Sequence, residues 1–251
     1  MAFFHRNRRS RWVASAALLV VAAAATGAAL ALTGGGAQPA LAGDAVDRSV
    51  PRLSLEDAQG ATTSLAAYRG RVVVFAPFLT LCGEVCPLTT AALQAVQRDV
   101  TRLGLARKVV VAEVSVDPWR DTPARLRAFA RLTGTRFPLF TGTTTELARF
   151  WHFFGVAYWR TKEDKPPDVD WLTGKPLTFD VSHTDALFLI DATGRERVLD
   201  IGMPTTGSVP AALRRLLDAQ GRADLAHPQP GWTVAQALAD VRRLARSAPG
   251  A

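Results

Sequence analysis

The feature that most limits the fold of this chain is the alternation of apolar runs with segments of helical periodicity. Residues Val72 to Ala76 and Val109 to Val114 are dominated by apolar side chains, which is typical of strands buried on both faces of a sheet. The segment between these runs begins at Pro87, repeats Leu, Ala and Val at helical spacing and is closed by Gly104. Strands of this kind joined by a helix predict an α/β fold.

The remaining elements follow the same alternation. Two further helices are predicted, one that begins at Thr122-Pro123 and ends at Gly134, and one over 145–154. A short strand is expected over 137–140, and two hairpins are expected, one over 52–64 and one over 186–201. A final core helix is predicted over 209–217. This order predicts a mixed central sheet with helices on both faces.

The N-terminus carries an uncharged apolar stretch from Ala14 to Leu32. Its 19 residues would form a helix about 28 Å long, close to the thickness of a bilayer's hydrocarbon core. Four arginines and no acidic residue precede it, which favours a cytoplasmic N-terminus. We expect a single-pass transmembrane helix in the cytoplasmic (inner) membrane, with the C-terminal domain on the periplasmic side. The alternative is a signal peptide cleaved after Ala40-Leu41-Ala42.

These features divide the chain into four parts. Residues 1–33 are the membrane anchor or signal segment, and residues 34–51, which contain three consecutive glycines, are a flexible linker. Residues 52–220 are the ordered domain, interrupted by a loop at 160–180 that fits no element. Residues 221–251 are a C-terminal tail with one amphipathic stretch, which is expected to dock on the domain or on a partner.

The charge of the chain argues against nucleic-acid binding. The formal net charge is +8, but four of the basic residues lie in the N-terminal segment, so the remainder carries only +4. No basic cluster interleaved with aromatic residues occurs there, whereas nucleic-acid binders concentrate Lys and Arg on one face or helix. We expect no nucleic acid among the partners.

The chemistry of the chain centres on its two cysteines, Cys82 and Cys86, which lie between a predicted strand and the helix after Pro87. Their spacing places both sulfurs on the same side of a helical or turn-like segment, and a helix N-terminus favours thiolate. A structural disulfide, a redox dithiol and a metal site all fit this spacing.

If the cysteines bind metal, they suit Cu(I) better than zinc, because structural zinc takes four ligands and Cu(I) is satisfied with two or three. A third ligand must then come from elsewhere. Of the four histidines, His183 stands just before a predicted buried strand, where a loop could face the cysteines. His152 is interpreted as a packed or surface residue, and Asp117 and Asp121 as turn and capping residues.

Several motifs in order resemble the Sco/SenC family of thioredoxin-fold copper chaperones for cytochrome c oxidase. The resemblance covers residues 52–217. It is carried by four motifs: Cys82-x-x-x-Cys86-Pro87; Val114-Ser115-Val116-Asp117-Pro118 with Asp121-Thr122-Pro123; Phe154-Gly155-Val156; and His183-Thr184-x-x-x-Phe188-Leu189-Ile190-Asp191. Gly83-Glu84 and Thr184 depart from the family's usual residues, but no ligand is lost.

The resemblance implies a thioredoxin-like domain that binds copper through Cys82, Cys86 and His183. It implies a metallochaperone, not an enzyme, that helps to assemble the dinuclear copper centre of cytochrome c oxidase. Its partners would be the copper-bearing oxidase subunit, the membrane and a thiol reductant. The alternative is a thiol–disulfide oxidoreductase, or a peroxiredoxin-like enzyme, that uses the same two cysteines.

Overall fold

The structure is a computed structural model that describes residues 41–228 and 231–247. None of the helices in these ranges combines the length and the apolar character that a membrane span needs. The transmembrane helix predicted at Ala14–Leu32, like the whole segment 1–33, lies outside the described residues.

Strands and helices alternate along the chain. The strands are β1 (Asp44–Ser49), β2 (Leu55–Asp57), β3 (Thr62–Thr63), β4 (Val72–Phe78), β5 (Val109–Ser115), β6 (Leu139–Thr141), β7 (Tyr158–Thr161), β8 (Asp180–His183), β9 (Ala186–Ile190), β10 (Arg195–Ile201), β11 (Pro204–Thr205) and β12 (Trp232–Thr233). The helices are α1 (Cys86–Arg102), α2 (Pro123–Thr133), α3 (Thr144–Phe154), α4 (Ala211–Arg214), α5 (Ala219–Ala226) and α6 (Val234–Arg246), with a 3-10 helix at Leu65–Tyr68.

The central sheet has eight strands in the order β1-β10-β9-β4-β5-β6-β2-β3. The buried strands β4 and β5 pair in parallel from Val72 opposite Val109 to Phe78 opposite Ser115, and β6 joins β5 in parallel. The other pairs, such as β9 with β4, are antiparallel. The predicted mixed sheet is confirmed, and its parallel centre places the ends of β4 and β5 at one edge.

Helices cover both faces of this sheet. Phe75 of β4 contacts Phe150, Trp151 and Phe154 of α3. Phe78, three residues later, points to the opposite face of the strand, where it contacts Phe129 of α2. All these rings are buried, so aromatic packing fixes the two helices on opposite sides.

Two predictions along the chain are wrong. Residues 44–49 lie within the predicted linker 34–51, yet they form β1, which pairs with β10. The local composition is polar, and the pairing comes from a distant strand that a linker signal does not reveal. The core helix predicted over 209–217 is only the four-residue α4 followed by turns.

Of the two expected roles of the C-terminal tail, docking on the domain or on a partner, the structure shows the first. Trp232, Ala237 and Val241 are buried in the same core as the central sheet. The carboxylate of Asp240 on α6 accepts hydrogen bonds from the backbone N–H groups of residues 42 and 43 at 2.7 and 3.0 Å. Helix α6 of the tail therefore anchors the first described residues of the chain through hydrogen bonds.

Candidate metal centre

The two cysteines lie where the chain passes from β4 into α1. Cys86 is the first residue of α1 and is buried, whereas Cys82 is in the preceding loop and is partly exposed. The backbone N–H of Cys86 donates to Cys82 Sγ at 3.4 Å. Both thiols are free. The Cys82 sulfur therefore takes the place of a capping group at the N-terminus of α1, where the helix dipole favours negative charge.

His183 reaches the cysteines from another element. It is the last residue of β8, and its Nε2 lies 3.5 Å from Cys86 Sγ. Its Nδ1 lies 3.1 Å from the backbone oxygen of Thr184 and 3.6 Å from a carboxylate oxygen of Asp185. A proton on Nδ1 is thus held by oxygen acceptors, which leaves the lone pair of Nε2 directed at the sulfur.

The spacing of these donors suits a metal ion. With metal–sulfur and metal–nitrogen distances of about 2.3 and 2.0 Å, a near-tetrahedral angle places the two donors about 3.5 Å apart. The distance between Cys86 Sγ and His183 Nε2 is already 3.5 Å. Within the described residues no group of three or more His, Cys, Asp or Glu side chains is arranged to hold a metal ion.

The pKa values of Cys82, Cys86 and His183 are shifted in different directions. A hydrogen bond with the Cys86 thiol, helped by His183 and opposed by burial, lowers the pKa of Cys82 to about 5. Burial raises the pKa of Cys86 well above its ordinary value, and the neighbouring Cys82 raises it further. Burial lowers the pKa of His183, but Cys82 and Asp185 outweigh it and raise that pKa overall. One thiolate and one thiol therefore face the histidine at neutral pH.

The loop before Cys82 is held in place by contacts to Thr80, one of them from Asp121, which the sequence analysis interprets as a turn or capping residue. The buried Asp121 accepts the Thr80 hydroxyl at 2.5 Å, the Thr80 N–H at 3.3 Å and the Ser115 hydroxyl at 2.6 Å. Trp171, in the loop that fits no element, donates from Nε1 to the Thr80 carbonyl at 2.6 Å. Every polar backbone and side-chain group of Thr80 is thus held from outside the loop.

The other predicted residues play no direct part in this arrangement. Asp117 forms an ion pair with Arg120 at 2.5 Å, and after burial its charge contributes to raising the pKa of Asp121 to about 7. His152 is exposed on α3, and His227 follows α5. The sequence offered no signal for Trp171, because its contact with Thr80 spans 91 residues.

The loop that carries Cys82 also rests on the segment after α4. The backbone N–H of Asp218 donates to the Gly83 carbonyl at 2.9 Å. A Cβ atom on Gly221 would lie 2.4 Å from that carbonyl oxygen and 2.7 Å from that of Glu84. Only glycine allows this approach, so α5 supports the cysteine loop through backbone contact.

Comparison with known proteins then decides the family. A family model described as SCO1/SenC matches residues 44–217, well over half of the chain. The chain belongs to the SCO1/SenC family. The match ends just before Asp218 and Gly221. The contacts that these two residues make with the cysteine loop therefore lie outside the matched region.

Individual relatives are more distant. A candidate copper-binding protein of Stutzerimonas stutzeri is 24% identical over 151 residues, which are 60% of this chain and 68% of the relative. A candidate peroxiredoxin of Mycobacterium tuberculosis is 29% identical over 167 residues, which are 66% of this chain and 89% of the relative.

Solved structures share the fold. Apo Sco1 of Thermus thermophilus is 23% identical with a TM-score of 0.57, covering 83% of this chain and 99% of that one. Arabidopsis thaliana ScoI with copper bound is 19% identical with a TM-score of 0.51, covering 66% of this chain and 92% of that one. The thioredoxin-like fold expected of the SCO1/SenC family is therefore confirmed.

Proposed function

We propose that this chain is a copper metallochaperone that holds copper through Cys82, Cys86 and His183. It passes the ion to the dinuclear copper centre of cytochrome c oxidase, through the oxidase's copper-bearing subunit. The observation that carries the proposal is the placement of His183 Nε2 3.5 Å from Cys86 Sγ, with Nδ1 already engaged by oxygen acceptors. Family membership and the copper-binding relative support the same conclusion.

Copper is the cargo, and the three donors suit its two oxidation states. Thiolates are soft ligands that hold Cu(I), and imidazole nitrogen adds the harder donor that Cu(II) prefers. Cys86 and His183 have largely buried side chains, whereas Cys82 is partly exposed. An acceptor thiol can therefore approach from the Cys82 side, so that ligands are exchanged one at a time.

The proposed location is the outer face of the cytoplasmic membrane. The arginine-rich start and the uncharged stretch Ala14–Leu32 support an N-in, C-out anchor. A reporter fused after Ala251 should be active only outside the cytoplasm. Activity of a cytoplasmic reporter at the same position would contradict the proposed topology and the partners that depend on it.

The ligand set is tested by metal analysis of the reduced protein with His183→Ala. We expect one copper per chain in the wild type and a much larger loss of Cu(II) than of Cu(I) in the variant, because two thiolates still hold Cu(I) as a near-linear pair. His152→Ala is the matched control, since this histidine is exposed on α3. Oxidation of the cysteines to a disulfide should abolish Cu(I) binding.

A second candidate function is thiol–disulfide exchange, which the unequal protonation of the cysteines favours. The Cys82 thiolate would attack a target disulfide and release one target thiolate. Cys86, once deprotonated, would attack the mixed disulfide, release the second target thiol and close the Cys82–Cys86 disulfide. A separate thiol reductant must then restore the dithiol. The relative named as a candidate peroxiredoxin is consistent with such chemistry.

His183 separates the two functions in cells. Copper transfer needs its nitrogen, whereas dithiol exchange does not. If copper transfer is the function, a strain that carries His183→Ala should lose cytochrome c oxidase activity and the His152→Ala strain should keep it. Full oxidase activity together with lost Cu(II) binding would favour the oxidoreductase.

A further inference from the structure

A cleft with two compartments runs along Cys82. Both compartments are lined by Leu81, Cys82, Gly83, Asp168, Leu177 and Asp218. The first, of about 210 Å³, adds Trp171, Val169, Leu216, Leu217 and the basic residue Arg215. The second, of about 150 Å³, adds His183 and the strand β8 that carries it. The exposed side of the cysteine pair is therefore a shaped recess.

The second compartment is strongly acidic. Its lining includes five carboxylates: Glu84, Asp168, Asp180, Asp185 and Asp218. In the described part of the chain only Asp185 among them is within ion-pair distance of a basic group, namely His183 at 3.6 Å. Burial raises the pKa of Asp168, and the negative charges of Asp218 and Asp180 raise it further. The recess thus holds more acidic than basic side chains, five carboxylates against His183 and Arg215, on a chain whose formal net charge is +8.

The first compartment has an apolar wall that is fixed in place. Trp171 is held by its hydrogen bond to the Thr80 carbonyl. The preceding Asp170 forms a two-pronged ion pair with Arg125 of α2 at 2.8 and 2.9 Å. Val169, next to these anchors, is 60% exposed. A rigid apolar surface beside a reactive thiol suits a bulky side chain of a docked partner.

We propose that this cleft docks a basic, cysteine-bearing segment of a partner protein, with an apolar side chain against Trp171 and lysine or arginine against the acidic compartment. The inference rests on the proposed function only in requiring that Cys82 exchange with a partner. Both copper transfer and disulfide exchange meet that requirement. Charge complementarity favours a basic segment, because an acidic one would be repelled at the mouth of the recess.

The test measures how fast the full chain, reduced and held in a neutral detergent, reacts with three peptide disulfides of equal length. Each peptide cysteine is joined to a chromogenic thiol. One peptide has lysines and a leucine beside the cysteine, the second replaces the lysines with glutamates, and the third replaces the leucine with glycine. The Cys82 thiolate displaces the chromogenic thiolate, and Cys86 then releases the peptide thiol, so the protein dithiol is oxidised as the peptide disulfide is reduced.

We expect the lysine–leucine peptide to react at least about tenfold faster than the glutamate peptide at low salt. The difference should shrink as salt screens the charges. The net charge of +8 alone would favour the opposite order, with the glutamate peptide reacting faster. The glycine peptide should also react more slowly than the lysine–leucine peptide, because it leaves the apolar compartment empty.

The double variant Asp168→Asn/Asp180→Asn should lose most of the charge preference. The matched control is Asp47→Asn/Asp99→Asn, which removes the same charge from surface ion pairs with Arg195 and Arg102 and should keep it. Equal rates for the lysine and glutamate peptides, or a preference that survives the cleft variant, would overturn the proposal.

The acidic compartment could instead hold a cation, and the same assay decides this. Loss of the charge preference on adding Ca²⁺ at an ionic strength where Na⁺ preserves it would identify a cation site and overturn the proposal. Failure of the proposed function gives a different result. In that case neither copper nor any of the three disulfides would react with Cys82, whatever the charge of the peptide.

Discussion

Glu113 offers a quantitative test of the fold beneath the cysteine helix. It lies on β5 with its side chain fully buried, and Thr90 of α1 donates its hydroxyl to one carboxyl oxygen at 2.8 Å. The other oxygen has no hydrogen-bond partner among the described residues. Burial raises the pKa of Glu113 from 4.5 to about 8, although the Thr90 hydrogen bond lowers it. The carboxyl is therefore protonated in the folded protein at neutral pH.

This raised pKa makes folding less favourable as pH rises. The unfolded chain releases the proton near pH 4.5, whereas the folded protein keeps it until about pH 8. Between these values stability should fall by about 1.4 kcal/mol per pH unit. The accumulated loss at pH 7 is about 3 kcal/mol on this basis. Because the folded pKa is the higher one, the effect is absent below the unfolded pKa.

Glu113→Gln removes this loss while preserving an acceptor for Thr90. Urea unfolding of a chain that begins at Leu41, the start of the compact unit, should show a small difference from wild type near pH 4.5. The difference should grow towards about 3 kcal/mol in favour of the variant at neutral pH. Glu146→Gln is the control of opposite sign, because backbone and side-chain groups of Thr143, together with Ser54, lower the pKa of Glu146.

Parallel pH profiles for wild type and Glu113→Gln would refute this reasoning. They would mean that the carboxyl has the same proton affinity folded and unfolded, and so that it is not buried as the structure places it. A variant that is less stable at every pH would refute the reasoning too. It would show that the amide is not tolerated where the protonated acid is.

Two further predictions concern the support of the cysteine loop. Gly221→Ala should destabilise the protein by roughly 1–3 kcal/mol and weaken copper binding, because the new Cβ would meet the Gly83 carbonyl at 2.4 Å. Gly207→Ala, with nothing within 4 Å of its Cβ, should leave both unfolding and copper titrations unchanged. Trp171→Phe should speed alkylation of the partly exposed cysteine severalfold, because its loop loses one of its anchors. Trp159→Phe, at an exposed tryptophan, should leave the alkylation rate unchanged. Equal alkylation rates for the two variants would contradict the anchoring role of Trp171.

Local patterns predicted the centre of this fold because its elements carry their own signals. The apolar runs became β4 and β5, and helix α1 begins one residue before the predicted Pro87. The two cysteines and His183 meet as the motifs implied. In contrast, β1 and the clamp on Thr80 depend on partners far along the chain. Neither leaves a local pattern, since pairing with β10 and the Trp171 hydrogen bond are decided only by the tertiary fold.

In the proposed copper site the fold holds Cys82, Cys86 and His183 with different firmness, and this difference suggests a different role for each. Cys86 opens a 17-residue helix and is buried, and the ring of His183 is fixed through Nδ1. Cys82 lies in the loop before α1, where its sulfur accepts the Cys86 N–H, and the loop is held by Thr80 on one side and by the contact of Gly83 with α5 on the other. A ligand that must be released and retaken should sit on the least constrained element. The cleft opens beside that same cysteine, so Cys82 is the donor through which a partner would gain access to the ion.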